Sequence, residues 1–96
     1  MTAAFRHIQR TIRPVLKKHA IRRASLFGSF ADGTAGEHSD VDLLVELSMP
    51  IGLLRFIHIK HELEDRLGRK VDLVEFKAIK PVLRESILNS SIPIYG

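Results

Sequence analysis

The sequence predicts a small α/β fold, a three-stranded sheet flanked by about four helices and covered mainly on one side. Three observations carry this expectation. Apolar residues recur at helical spacing in three long segments. Three short apolar runs, rich in Val, Leu and Phe, lie between them as strands. Gly and Pro punctuate the transitions.

From Ala3 to His19, Phe5, Ile8, Ile12, Val15 and Leu16 mark one face of a first helix. Arg6, Arg10, Arg13 and Lys17 form a basic stripe on another face, and Pro14 either kinks this helix or opens a second short one. Ala24 to Phe27 reads as a short buried strand. Gly28 and Ser29 then turn the chain, and Phe30-Ala31 begins a short helix. Asp32 to Ser39 is polar, holds two glycines and reads as a loop. Val41 to Glu46 is the second strand. Pro50 opens a helix to Leu67, with Leu53, Phe56, Ile59, Leu63 and Leu67 as one stripe and Gly68 ending it. Val71 to Phe76 is the third strand. Pro81 begins a last helix carrying Val82, Leu83, Ile87 and Leu88, and Ser91–Tyr95 reads as an edge segment whose pairing Pro93 limits.

The chain has 96 residues, which suits one domain spanning 1–96. A hydrophobic content of 45% fits a globular core. No apolar run approaches the roughly 20 residues of a membrane span. The first residues lack the apolar stretch of a signal peptide, and cysteine is absent, so the expected compartment is cytoplasmic. Net charge is +4, and seven of the fifteen basic residues fall within the first 23 positions. That basic face suits a solvated helix, nucleic acid, an acidic partner or a phosphorylated substrate.

The chemistry is concentrated in Ser25–Glu46, "SLFGSFADGTAGEHSDVDLLVE". Side chains two apart on a strand share a face, so Asp40, Asp42 and Leu44 point one way and Val41, Leu43 and Val45 the other. Aspartate is a poor strand residue, and two carboxylates on one face repel. A divalent cation offsets that repulsion most simply, and hard oxygen ligands select Mg²⁺ or Mn²⁺. Asp72, inside the apolar run "RKVDLVEF", supplies a third carboxylate if its strand neighbours that of Asp42. Three such groups suit metal-assisted phosphoryl transfer, with the third available as a general base. Gly28-Ser29 adds a turn where backbone amides and a hydroxyl meet phosphate oxygens. Other candidates are weaker. His58 and His61 lie i, i+3 on a helix but show no third ligand, and Tyr95 suits terminal packing.

The pattern Gly-Ser, a spacer, then Asp-x-Asp resembles the signature of the nucleotidyltransferase superfamily related to DNA polymerase beta. With "LGRKVDLVEFKAIKPVLRESIL" the likeness extends over nearly the whole chain, and the short length resembles the minimal nucleotidyltransferase (MNT) antitoxin family. The resemblance implies a polymerase-beta palm-like core with a small mixed sheet. It implies Mg²⁺ or Mn²⁺ as cofactor and ATP as substrate. Gly28 and Ser29 would hold the triphosphate, Asp40 and Asp42 would ligate metal, and Asp72 would be the third metal-binding and catalytic carboxylate. It implies transfer of AMP to a hydroxyl, expected to be a tyrosine, of a small helical HEPN-type toxin. The partners expected are thus a nucleotide and that toxin, in a hetero-oligomer or with self-association. Neither a membrane nor direct nucleic-acid binding is expected. Asp32 stands where many members carry arginine, which is expected to weaken nucleotide affinity. The alternatives are a non-catalytic antitoxin that neutralises by binding and an aminoglycoside-type transferase. A chain this short leaves no acceptor domain for the latter.

Overall fold

The computed structural model describes residues 2–36 and 39–96. The loop expected over Asp32–Ser39 therefore includes two positions, Glu37 and His38, outside the described residues. In chain order the elements are α1 (Ala3–Lys18), β1 (Ile21–Phe27), α2 (Ser29–Asp32), β2 (Val41–Leu47), α3 (Leu53–Leu67), β3 (Val71–Glu75), a 3₁₀ turn (Phe76–Ala78), α4 (Pro81–Ser90) and β4 (Ile92–Tyr95). The sheet is mixed, in the order β3-β2-β1-β4. β1 runs antiparallel to β2 and β4, whereas β2 and β3 are parallel, with α3 as the crossover that a parallel pair requires.

The sheet has four strands where the sequence predicts three. Ile92–Tyr95 pairs with β1, and Pro93 is tolerated because β4 is an edge strand with no ladder to donate to on its outer side. β1 begins at Ile21, three residues before the expected start. A register irregularity between Ile21 and Arg23 leaves Arg22 and Arg23 exposed and hides the apolar alternation. β3 ends at Glu75 because Phe76 enters the 3₁₀ turn.

α1 starts at a Thr2 cap, whose Oγ1 accepts from the Phe5 N–H at 3.1 Å. It runs unbroken through Pro14 to Lys18. An interior proline costs about 3 kcal/mol, and burial of Ile12, Val15 and Leu16 around it offsets that cost. α3 starts at Leu53, not Pro50. Met49 before that proline has no side chain to cap a helix, while Gly52 accepts the Phe56 N–H at 3.1 Å and serves as the cap. Gly68, at φ 66°, closes α3 in the left-handed conformation as expected.

α1 and α3 lie side by side on one face of the sheet. Ile12, Leu16, Ile59 and Leu63 pack there against Leu26, Val41, Leu43 and Val45. The stripe expected on α3 is only partly core. Ile59 and Leu63 are fully buried, but Leu53, in the first turn of α3, is 72% exposed. None of the α4 residues Val82, Leu83, Ile87 and Leu88 is buried, so that helix contributes little to the core. No helix among the described residues is long and apolar enough to cross a membrane.

Leu63 and Leu53 belong to one sequence stripe but to different environments. Leu63→Ala should cost about 2–5 kcal/mol through the cavity it leaves. Leu53→Ala should stay within about 0.5 kcal/mol. Urea midpoints of the two variants check the contrast, and similar losses would contradict this packing.

Candidate active site

The site lies on the sheet face that α1 and α3 leave open. β2 is anchored by Val41, Leu43 and Val45, all buried toward the helices. Alternation then turns Asp42 and Leu44 to the opposite face. In the parallel ladder Asp42 and Asp72 are direct partners, so the strand neighbours assumed in the sequence argument are indeed neighbours. Asp40 is exposed and sits just before β2, two residues from Asp42. Asp42 is half-buried. Burial first, then the charges of Asp72 and Asp40, hold its carboxyl above the usual aspartate range. Among the described residues, no ion pair or hydrogen bond engages any of these three carboxylates. Three converging acids without a protein cation fit a divalent metal ion, and their all-oxygen donor set suits Mg²⁺ or Mn²⁺.

β1 brings Gly28 against this group. Phe27 is the ladder partner of Asp42, and the chain leaves β1 at the next residue with φ 67° and ψ −143°. A Cβ at Gly28 would collide with the Asp42 carboxylate and lie 3.1 Å from its Cγ. The glycine is thus required both by backbone conformation and by proximity to the acid. Ser29 follows at the start of α2, half-buried. The N–H groups of Ser29 and Phe30 precede the first hydrogen bonds of that turn, which run from Ala31 and Asp32 to the Gly28 carbonyl at 3.0 and 3.1 Å. Gly28, Ser29, Asp40, Asp42 and Asp72 are therefore assembled at one end of the sheet.

Asp32 makes a local turn. Its Oδ1 accepts from the Thr34 N–H at 2.9 Å and the Thr34 hydroxyl at 2.6 Å, and these two bonds hold its carboxyl below the ordinary range. The Asp32 carboxylate is thus engaged with its own loop.

Two features escaped the sequence reading. Arg69, just before β3, places its guanidinium 5.3 Å above the Phe30 ring and donates Nη1 to the carbonyls of Gly36 and Ser39 at 3.2 Å each. It ties the spacer to α2 immediately ahead of Asp40. Its only sequence signal is a basic residue flanking the Asp72 strand. The second feature is an open groove of about 540 Å³ lined by Ser25, Leu44, Phe76, Leu88 and Tyr95 among others, with Leu44 two residues along β2 from Asp42 and on its face. Tyr95, expected as a packing residue, lines this groove and packs against the core. The Arg6, Arg10, Arg13 and Lys17 stripe is exposed on α1, which covers the other face of the sheet. His58 approaches Glu62 and His19.

Gly28→Ala should cost about 1–3 kcal/mol from backbone conformation, with a further cost from the collision with Asp42. In an Asp42→Ala background the collision disappears and the penalty should shrink measurably. A double-mutant cycle by urea unfolding tests this; full additivity would separate the two residues.

Comparison with known proteins agrees with this geometry. Residues 10–96 match the family described as polymerase beta, nucleotidyltransferase. A Methanocaldococcus jannaschii protein with the provisional name protein adenylyltransferase is 42% identical over 87 residues, covering 91% of this chain and 94% of that protein. A solved structure with the provisional name minimal nucleotidyltransferase superposes with a TM-score of 0.81 at 37% identity, covering 94% of this chain and 92% of the other. A Shewanella oneidensis MNT antitoxin, solved in complex with a tri-AMPylated HEPN toxin, shares the fold at TM-score 0.76 and 19% identity, over 96% of this chain and 72% of its own. The chain belongs to the polymerase beta nucleotidyltransferase family, in its minimal nucleotidyltransferase branch.

Proposed function

We propose that this chain is a cytoplasmic antitoxin that transfers AMP from ATP to a tyrosine hydroxyl of a HEPN-type toxin, with Mg²⁺ or Mn²⁺ as cofactor. The observation that carries the reading is the in-register Asp42–Asp72 pair, with Asp42 pressed against the side-chain-free Gly28 and no ion pair to either acid among the described residues. The adenylyltransferase name of the M. jannaschii relative and the AMPylated toxin held by the S. oneidensis fold neighbour support the acceptor class.

In this mechanism Gly28 lets the triphosphate approach the backbone. The Ser29 and Phe30 N–H groups and the Ser29 hydroxyl bind the β- and γ-phosphates. Asp40, Asp42 and Asp72 would hold the cation, which when bound offsets charge on the triphosphate and on the attacking oxygen. Asp72, the most accessible strand acid, accepts the proton of the acceptor hydroxyl. The oxygen forms a bond to the α-phosphorus, the bond to the bridging β-phosphate oxygen breaks, and pyrophosphate leaves. The groove beside Leu44 gives the nucleoside or the incoming side chain room on the same face. In this reading residues 1–96 form one minimal domain and another molecule supplies the acceptor hydroxyl.

The test incubates the chain with α-labelled ATP, Mg²⁺ and the small helical partner encoded beside it, followed by intact mass. The expected result is one or more AMP units on a partner tyrosine, lost in Asp42→Asn while the complex still forms. Neutralisation of the toxin without any AMP, undiminished in Asp42→Asn, would reject transfer and leave an antitoxin that acts by binding.

The raised Asp42 pKa sets a second expectation. The folded state binds this proton more tightly than the unfolded chain does, so ionised Asp42 destabilises the metal-free fold as pH rises through its folded pKa. At neutral pH Asp42→Asn should therefore melt at or above wild type. Cations compete with the proton, so the Mg²⁺-ATP gain in melting temperature should grow with pH across that pKa and be absent in Asp42→Asn. Thermal melts across pH, with and without Mg²⁺-ATP, check both signs.

A further inference from the structure

On the helical layer, away from the carboxylates, His19 follows α1 while His58 and Glu62 share one face of α3 at i, i+4. His19 Nε2 lies 3.0 Å from Glu62 Oε1, and His58 Nε2 lies 3.8 Å from the same oxygen. One ligand atom from each of the three residues falls within 4.8 Å of the others. We propose that His19, His58 and Glu62 form a second cation site, selective for Zn²⁺ or a similar late transition ion and independent of the aspartate site.

The donor chemistry differs from that of the aspartates. Two imidazoles and one carboxylate suit Zn²⁺, Co²⁺, Ni²⁺ or Cu²⁺, whereas three carboxylates suit Mg²⁺ or Mn²⁺. Tetrahedral zinc, with bonds near 2.0–2.2 Å, needs donors roughly 3.3 Å apart. The two distances to Glu62 straddle that value, and the adjustment falls on His58, whose side chain is 68% exposed and free to turn. Glu62 and His19 are already fixed, with side chains 15% and 8% exposed.

Two features limit the affinity. Lys18 Nζ occupies Glu62 at 3.0 Å and must swing out, which its 59% exposed side chain permits. His19 Nδ1 is buried without a partner among the described residues. Binding at Nε2 moves the ring proton to that nitrogen, where no acceptor waits. Outer-shell partners are worth about 10–100-fold in metal affinity, so this site binds more weakly than a fully supported zinc centre. The cation would staple the end of α1 to the middle of α3, a link between segments 39 residues apart from His19 to His58.

The experiment uses the full chain carrying Asp42→Asn and Asp72→Asn, which removes the competing site. Zn²⁺ is titrated calorimetrically, Co²⁺ reports tetrahedral coordination in the visible spectrum, and Zn²⁺ melts report the staple. One equivalent of Zn²⁺ should bind and raise the melting temperature. His58→Ala, at an exposed position, should keep the fold by circular dichroism yet weaken binding at least about tenfold, in line with losing one of three ligands. His61→Ala should bind like its parent. No bound equivalent, equal binding by His58→Ala, loss in His61→Ala, or Zn²⁺ binding that requires the aspartates would each overturn the site.

Discussion

Asp42 and Asp72 stand side by side because their strands have no other register available. Val41, Leu43 and Val45 alternate with Asp42 and are fully buried against α1 and α3. Val71 and Leu73 do the same for Asp72. A one-residue slip of either strand would place a carboxylate in the core and expose a row of apolar side chains. Hydrophobic burial on one face therefore holds two like charges together on the other. Burial first, and then the charges of Asp72 and Asp40, raise the Asp42 carboxyl above the usual aspartate range. The stability of the core thus sustains an electrostatic cost at the site.

The rest of the site is fitted around that pair. Gly28 adopts φ 67° beside Asp42, where a larger residue has neither the conformation nor the space. The spacer is tied at both ends. Thr34 and Ala35 donate to the Ser29 carbonyl at 3.0 and 3.1 Å, and Arg69 bridges Gly36 and Ser39. Asp32 belongs to the first of these ties, bound to Thr34. Asp32 thus has a local structural role as a turn residue.

The two faces of the sheet carry different kinds of order. The covered face is apolar and closed, with Glu62 at its margin gathering Lys18, His19, His58 and Arg66. The open face holds the acids and a groove that α4 borders through Leu88 without filling it. Leu44 is buried on that face, whereas Leu88 stays exposed at the border of the groove. Asp42 and Asp72, partners in the parallel ladder, lie on that same face.

The sequence by itself determined the elements and the motif. Helical spacing of Phe5, Ile8, Ile12, Val15 and Leu16 specifies α1, and alternation around Asp42 specifies which face its acid takes, because both patterns are local periodicities of the backbone. Gly28-Ser29 and Asp40-x-Asp42 were likewise readable as neighbours along the chain. Partners distant in sequence were not readable. Alternation gives a strand its faces but not its neighbours, so the pairing of Asp42 with Asp72 needed the parallel β2–β3 ladder. Pairing of β4 depended on Pro93 lying at an edge. The bridge from Arg69 and the approach of His19 to His58 and Glu62 have no periodic signal, because they join segments that only tertiary packing brings together. Local chemistry was written in the order of the residues, while the distances between charged groups were decided by how the buried faces close.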